Sequence, residues 1–574
     1  MRNRVYDRRE ILQWAGGALL GGMLSGRDAR SSGERSSGSA AVPAASRSSL
    51  GGQFVPADDQ PAGRKGCIVG QIQAAQVGEE VLAAGGNAVD AAVAAALTAA
   101  TISIADCGIG GYGGHMVIAL AGGQKVTAID FNTTAPQAAR EDMFPLDDQG
   151  NVKGQVNMFG WRAAGVPGTL AGLQLALDRY GTQPFAKLVQ PAIRYAREGF
   201  EVSAGLANAI RAAQAQFRQD PGSARLFLNK GEPLKPGSTF RNPDLADLLQ
   251  SLAERKSVEP FYRGDIARRI AAAFRKHGGL VTEKDLAAYQ AREVEPLEFS
   301  WRGIQVRTAP LTAGGATVLE ALAILKALGW EAFPTHDPKA LHARLEALRI
   351  AWDDRLRLLG DPDQVKVPLE RLLSETYAKD MAARVEAALR DGKPVPTETD
   401  GRKADGTIHL SAADAQGNLV ALTLTHGGSF GARVTVEGLG LVLGHGMSRF
   451  DPRPGRPNSP GPGKRPLHNM CPTVLLRDGK PVLAVGARGG RRIPNAIFEV
   501  LAQYLGRGAS LKEAVAALRL HTEGGRNVML EPKAPKADAE FLQKLGYTVT
   551  TGASAVVSAV SFDPASGTCH TAAR

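Results

Sequence analysis

The chain has 574 residues, 44% of them hydrophobic and 22% charged, with a net charge of +11 at pH 7 and a pI near 9.5. This is the composition of a soluble globular protein with one large or two modest domains, and it excludes a mainly disordered or fibrous chain. The basic balance does not indicate a nucleic-acid partner, because the Lys and Arg residues are scattered and are nowhere interleaved with aromatic residues.

The first elements read as a targeting signal rather than as part of a fold. Arg2, Arg4, Arg8 and Arg9 form a basic stretch, followed by an apolar, glycine-rich run from Ile11 to Leu24 that is too short and too broken to cross a bilayer. Asp7-Arg8-Arg9-Glu10-Ile11-Leu12-Gln13 resembles a twin-arginine export signal, and small residues at Ala41 to Ala45 allow its removal. Ser31 to Ser49 is too polar to order itself. Residues 1–60 are therefore expected to be signal and linker, and the protein to be periplasmic or extracellular with no stable membrane span. Cys67, Cys107, Cys471 and Cys569 form no CxxC pair and no cluster with His, so the expectation is buried or unpaired thiols, no structural metal and no cofactor.

Order begins near Cys67. A helix ends at Glu79 to Ala84, Gly85-Gly86 breaks it, and Asn87 caps an alanine-rich helix from Ala88 to Ala100 with Asp90 in its first turn. His115 to Leu120 and Lys125 to Phe131 read as a hairpin around Gly122-Gly123. From Val166 to about Leu359 helical patterns dominate, including Phe185 to Glu198 and Ala340 to Arg357, with a glycine turn at Gly314-Gly315. Lys393 to Asp405 is a polar, exposed connection. Thr407 to Ala413 and Leu419 to Thr425 are paired strands, with Thr407, His409 and Ser411 on one face and Thr425 close across from Thr407. Strands at Thr473 to Leu476 and Val482 to Val485 precede a helix after Pro494.

Two common motifs occur out of context. Gly108-Ile109-Gly110-Gly111-Tyr112-Gly113 satisfies GxGxxG, but a strand follows it where a dinucleotide site needs a helix. Gly427-Gly428-Ser429-Phe430-Gly431 satisfies GxSxG and makes Ser429 the rival nucleophile, although Ala432 to Val436 is strand-like where the elbow needs a helix. Thr407 offers different chemistry. A threonine hydroxyl becomes a useful nucleophile when its own α-amine, of pKa about 7.7–8.0, acts as the base. An internal threonine gains that amine if the preceding bond is cut, and Gly406 gives the backbone the latitude such a cut needs.

A further set of motifs bears on this. Gly85-Gly86-Asn87-Ala88-Val89-Asp90-Ala91-Ala92, Gly108-Ile109-Gly110-Gly111, Asp130-Phe131 with Ala135-Pro136, and Val166-Pro167-Gly168 come first. Trp352-Asp353-Asp354-Arg355 with Leu359-Gly360-Asp361-Pro362 follows, then Gly406-Thr407-Ile408-His409-Leu410-Ser411, Lys464-Arg465-Pro466-Leu467 and Gly489-Gly490. In this order, from Cys67 to the C-terminus, they resemble the γ-glutamyltransferase family of N-terminal-nucleophile hydrolases. The resemblance implies an α+β fold, a four-layer αββα sandwich made by one precursor. It implies autocleavage between Gly406 and Thr407 into a heavy region, 61–406, and a light region, 407–574. Thr407 would attack an amide such as glutathione and form an acyl-enzyme released by water or an acceptor amine. Thr425 would hydrogen-bond the nucleophile, and the Gly489 and Gly490 N–H groups would hold the oxyanion. The partners implied are a small-molecule amide and the two fragments of the same precursor.

The departures bear on substrate. Where the family holds the glutamyl α-carboxylate with arginine, this chain has Asn132, and two family serines are His468 and Asn469. The family aspartate that pairs with the α-ammonium falls at Arg449, whose charge would repel an ammonium and suit a carboxylate. An acylase for another amide, including an acidic one, is therefore the alternative, and a non-catalytic binding relic a third. Asp451 to Gly463 is a short, proline-rich segment where some family members carry a long lid, which suggests an open cleft.

Overall fold

The computed structural model describes residues 66–399 and 407–574. The export-signal and linker expectations for residues 1–60, and Gly406 itself, lie outside these. The sheet strands, in chain order, are β1 (Gly66–Val69), β2 (Gly113–Ala119), β3 (Val126–Asp130), β4 (Arg292–Val294), β5 (Leu297–Trp301) and β6 (Ile304–Thr308). They continue as β7 (Ile408–Asp414), β8 (Leu419–Thr425), β9 (Thr473–Arg477), β10 (Lys480–Arg488), β11 (Val556–Asp563) and β12 (Thr568–Ala573). One antiparallel sheet has the order β1-β7-β8-β2-β3-β4 and the other β12-β11-β10-β9-β6-β5.

The sheets face each other across Val117, Ala119, Ala128, Ala421, Val474, Ala484 and Val560, mostly small residues that let two sheets stack closely. Helices cover the outer faces. On the first sheet lie α1 (Ile72–Ala83) and α2 (Ala88–Ile102). On the second lie α3 (Gly315–Leu328), α4 (Pro338–Leu358), α5 (Glu375–Asp391) and α6 (Arg492–Leu501). The α+β, four-layer architecture is thus the one expected, and none of the described helices is long and apolar enough to cross a membrane.

Local chemistry explains the elements. Asn87 accepts the Val89 and Asp90 N–H groups while Asp90 accepts that of Asn87, a reciprocal cap on α2. Every residue of α2 from Ala88 to Thr101 is buried, so its alanines allow close approach on all sides. The sequence reading missed β4 to β6 inside a region read as helical. There Arg302 and Gly303 both have positive φ (50° and 76°), the two-residue turn that joins twisted strands. Gly314-Gly315 is a helix start rather than a turn, and a Cβ on Gly315 would strike the Ala309 carbonyl.

The cysteine expectation needs correction. Cys67 and Cys569 form a disulfide with Cα atoms 6.3 Å apart, while Cys107 and Cys471 are buried free thiols. Spacing along the chain could not signal a pair 502 residues apart. It arises because β1 and β12 are edge strands of different sheets that meet at the same edge of the sandwich.

Candidate active site

Register builds the site. β7 pairs with β8 so that Ile408 faces Leu424 and His409 faces Thr423, and β8 pairs with β2 so that Thr425 faces Gly113. Thr407, one residue before β7, points into the space between the sheets near their end and is 5% exposed. Its Oγ1 donates to Thr425 Oγ1 at 3.2 Å, and the Gly427 N–H donates to the same oxygen at 2.8 Å. The sequence-predicted pair is therefore brought together.

Gly489 and Gly490 follow β10 with φ of 137° and 62°, conformations that favour glycine. Their carbonyls accept Arg492 and Ile493 N–H in the first turn of α6, and among the described residues their own N–H groups donate to nothing. Two free donors at a helix N-terminus suit an anion. Arg488 interacts electrostatically with Asp106, whose carbonyl accepts the His426 N–H. The Gly489-Gly490 turn thus lies at the same end of the sandwich as Thr425.

Arg449 turns inward. Its Nη2 donates to the Gly427 carbonyl at 2.5 Å and lies 3.5 Å from His445 Nε2, and its buried Nε has no hydrogen-bond partner among the described residues. The buried Tyr112 hydroxyl lies against both Arg449 and Thr425; burial raises its pKa, and Arg449 opposes that rise. Gly427 must lack a side chain, since a Cβ there would overlap the His445 and Tyr112 rings. Tyr112 and His445 were missed by sequence reasoning; the only signal was one tyrosine inside the glycine run from Gly110 to Gly114.

The other expected substrate ligands are placed differently. Asn132 is fully buried, and its Nδ2 donates to Thr312 Oγ1 and to the Pro466 carbonyl, both at 2.8 Å. His468 is also buried; its Nδ1 accepts the Met470 N–H at 3.2 Å and its Nε2 lies 3.0 Å from His115 Nδ1. That fixes the protons: His468 carries its hydrogen on Nε2 and donates it to His115, whose own Nε2–H faces Asp130 Oδ1 at 3.3 Å. Asn469 is half-exposed, and its side chain makes no hydrogen bond among the described residues. Of the predicted substrate ligands, then, Asn132 and His468 spend their polar atoms within the protein, with only Asn132 Oδ1 left without a partner among the described residues.

Below the nucleophile runs a polar row across neighbouring strands: His409, Thr423, His115, Asp130 and Arg292, each directly opposite the next. His409 Nδ1 is 2.7 Å from Thr423 Oγ1 and its Nε2 2.9 Å from Ser411 Oγ. The ring fits because Gly486 of the facing sheet has no Cβ to overlap it. Burial lowers the His409 pKa to about 3, so this ring is neutral at pH 7. Burial pushes Asp130 up, but His115, Arg465 and Arg292 together outweigh it and keep the carboxylate charged.

Two further features bear on the sequence expectations. The Asp451 to Gly463 segment contains neither helix nor strand and is pinned down, with Asp451 N–H donating to the Asn458 carbonyl and Asn458 Nδ2 to the Arg449 carbonyl, both at 2.8 Å. Ser429 sits in a turn between Gly427 and Phe430, and the short strand Thr435–Val436 comes next, so the serine elbow lacks its helix.

The gamma-glutamyltranspeptidase family model matches residues 74–573. A glutathione hydrolase proenzyme of Escherichia coli strain K12 is 39% identical over 467 residues, 78% of this chain and 79% of that one. An acylase ACY 1 proenzyme of Pseudomonas sp. strain V22 is 35% identical over 511 residues, 88% of this chain and 90% of that one. Among solved structures, the cephalosporin acylase of Bacillus halodurans superimposes with a TM-score of 0.78 at 28% identity, covering 93% of this chain and 98% of that one.

Proposed function

The chain belongs to the γ-glutamyltranspeptidase family and is an amidohydrolase or acyltransferase of the N-terminal-nucleophile type, and on that premise we propose that Thr407 is its nucleophile, acting on amides whose acyl group ends in a carboxylate. The observation that carries the reading is the 3.2 Å contact of Thr407 Oγ1 with Thr425 Oγ1, at the end of the sandwich that also holds the Gly489 and Gly490 N–H groups, which donate to nothing among the described residues. Cleavage of the Gly406–Thr407 bond divides the precursor into a heavy region, 61–406, and a light region, 407–574. It frees the Thr407 α-amine to act as base. The hydroxyl attacks the amide carbon, and the amine takes the hydroxyl proton and passes it to the leaving nitrogen. Thr425 accepts the nucleophile's hydrogen bond at rest, and its hydroxyl can donate as that proton leaves. The Gly489 and Gly490 N–H groups stabilise the oxyanion, a contribution of roughly 2.7–4 kcal/mol per donor in comparable enzymes. Water or an acceptor amine then releases the acyl group.

Arg449 supports the choice of acyl group, being the guanidinium that meets the Tyr112 hydroxyl and the Gly427 carbonyl, two residues from Thr425. It suits a carboxylate and disfavours an adjacent ammonium. Asn132 and His468, engaged internally, contribute to the shape of the site more than to charge recognition. A second reading, γ-glutamyl amides such as glutathione, is favoured by the 39% identity to the Escherichia coli glutathione hydrolase. Residues 1–60 are proposed to direct export.

Intact mass of wild type and Thr407→Ala tests the nucleophile. Two fragments with a new N-terminus at Thr407, and an uncut mutant, are expected; an uncut wild type overturns the mechanism. Turnover of glutaryl anilide against γ-glutamyl anilide, which differ only by the α-ammonium, tests the acyl group. Preference for the glutaryl compound, reversed by Arg449→Asp, is expected; a γ-glutamyl preference in wild type establishes the second reading instead.

A further inference from the structure

Helix α4 carries Glu346, Arg349 and Asp353 at spacings of three and four residues, a single stripe, and all three side chains are buried. The stripe grips main chain rather than apolar surface. Glu346 Oε2 accepts the Val395 N–H at 2.9 Å, and Arg349 donates to the Val395 carbonyl at 3.0 Å and to Thr397 Oγ1 at 2.8 Å. Asp353 Oδ1 accepts the Glu398 N–H at 2.9 Å and the Thr399 hydroxyl at 3.0 Å. From the other side, the Gly524 carbonyl accepts Thr397 Oγ1–H at 2.8 Å, and the Gly525 carbonyl accepts Arg349 Nε–H at 2.9 Å. Gly524, at φ 94°, has no room for a Cβ, which would sit 2.5 Å from Thr399 Oγ1. An irregular polar segment is thus held between α4 and a loop of the 407–574 region.

Burying three charged side chains is costly unless each is fully paired, and no step of amide hydrolysis uses them. What distinguishes the clamped segment is its place in the chain: Thr399 stands eight residues before Thr407. We propose that Asp353, backed by Glu346 and Arg349, is the positioning residue for autocleavage. It ties the chain down at Thr399, so that only the seven residues from Asp400 to Gly406 separate the tie from the bond to be cut, and this tie favours attack by the Thr407 hydroxyl. This rests on the reading that the cut falls before Thr407. In that step Thr407 Oγ bonds to the Gly406 carbonyl carbon, the C–N bond breaks, and the hydroxyl proton goes to the departing amine. Water then splits the ester, leaving a Gly406 carboxylate, a restored Thr407 hydroxyl and a released proton.

The experiment follows cutting of the full chain over time in cell-free translation, by intact mass, for wild type, Asp353→Ala and Asp353→Asn. Turnover is measured per cut molecule, counted with an acylating probe. Loss of the two charge-assisted hydrogen bonds to the segment, from the Glu398 N–H and the Thr399 hydroxyl, predicts at least roughly tenfold slower cutting in Asp353→Ala. Asn keeps the Oδ1 acceptor, so Asp353→Asn should cut at close to the wild-type rate, and turnover per cut molecule should match wild type in both. Asp353→Ala cutting at the wild-type rate, or cutting and turnover falling together, overturns the proposal. If Asp353→Ala fails to fold, Thr397→Val removes a clamped hydroxyl from the segment's side; it should cut several-fold more slowly, and wild-type cutting there overturns the proposal equally. An uncut wild type refutes the underlying reading, whereas a cut wild type beside an unaffected variant refutes only the clamp.

Discussion

His426 gives a quantitative acid-stability prediction. It is fully buried, like His409 and His445, and burial lowers each of the three from 6.5 to about 3. The folded protein keeps these rings neutral, whereas the unfolded chain protonates them below pH 6.5. Their depressed folded pKa values therefore leave stability intact above pH 6.5 and remove it as pH falls from 6.5 towards 3. At pH 5.5 the unfolded chain holds almost one extra proton per ring, a loss of about 1.4 kcal/mol each and about 4 kcal/mol for the three. Buried carboxyls with raised pKa, such as Glu320 and Glu499, act in the opposite sense, so a difference between variants isolates the histidine. The assay is urea unfolding at pH 7.5 and 5.5 of the uncut Thr407→Ala chain, with and without His426→Leu. The leucine variant should lose about 1.4 kcal/mol less stability between the two pH values. Equal losses in the two chains would refute the claim that His426 stays neutral when folded.

Thr425→Val keeps the shape of the side chain but removes the acceptor of both the Thr407 hydroxyl and the Gly427 N–H. Turnover per cut molecule should fall roughly 10- to 100-fold, read by single-turnover kinetics with glutaryl anilide. Gly486→Ala drives a methyl group into the His409 ring and should cost about 1–3 kcal/mol of stability in urea unfolding. The Cys67–Cys569 disulfide joins the two sides of the expected cut, so the fragments should run as one species on a non-reducing gel and as two after reduction. Cys67→Ser should separate them under both conditions, and protein from an oxidising compartment should carry the bond.

Much of this protein was legible in one sequence because the relevant signals are local. The Asn87 cap, the β7–β8 hairpin and the nearness of Thr425 to Thr407 follow from capping chemistry and strand alternation over a few residues. The ordered motifs identified the family, and with it the four-layer fold. Strands β4 to β6 escaped although Leu297-Glu298-Phe299-Ser300-Trp301 and Ile304-Gln305-Val306-Arg307-Thr308 alternate apolar and polar residues, because they are short and lie inside a long run of helical patterns, and the Arg302-Gly303 turn is decided by backbone angles. Three further features depended on distant residues. Cys67 meets Cys569 because two edge strands coincide. Asn132 and His468 are consumed by Thr312, Pro466 and His115, partners 180, 334 and 353 residues away. Arg449 points inward because Gly427 leaves space for Tyr112 and His445. Sequence fixes which chemical groups are present and how neighbouring ones repeat. Which buried polar atoms are already satisfied, and which remain for a substrate, depends on contacts between residues hundreds of positions apart, and only the packed structure decides it.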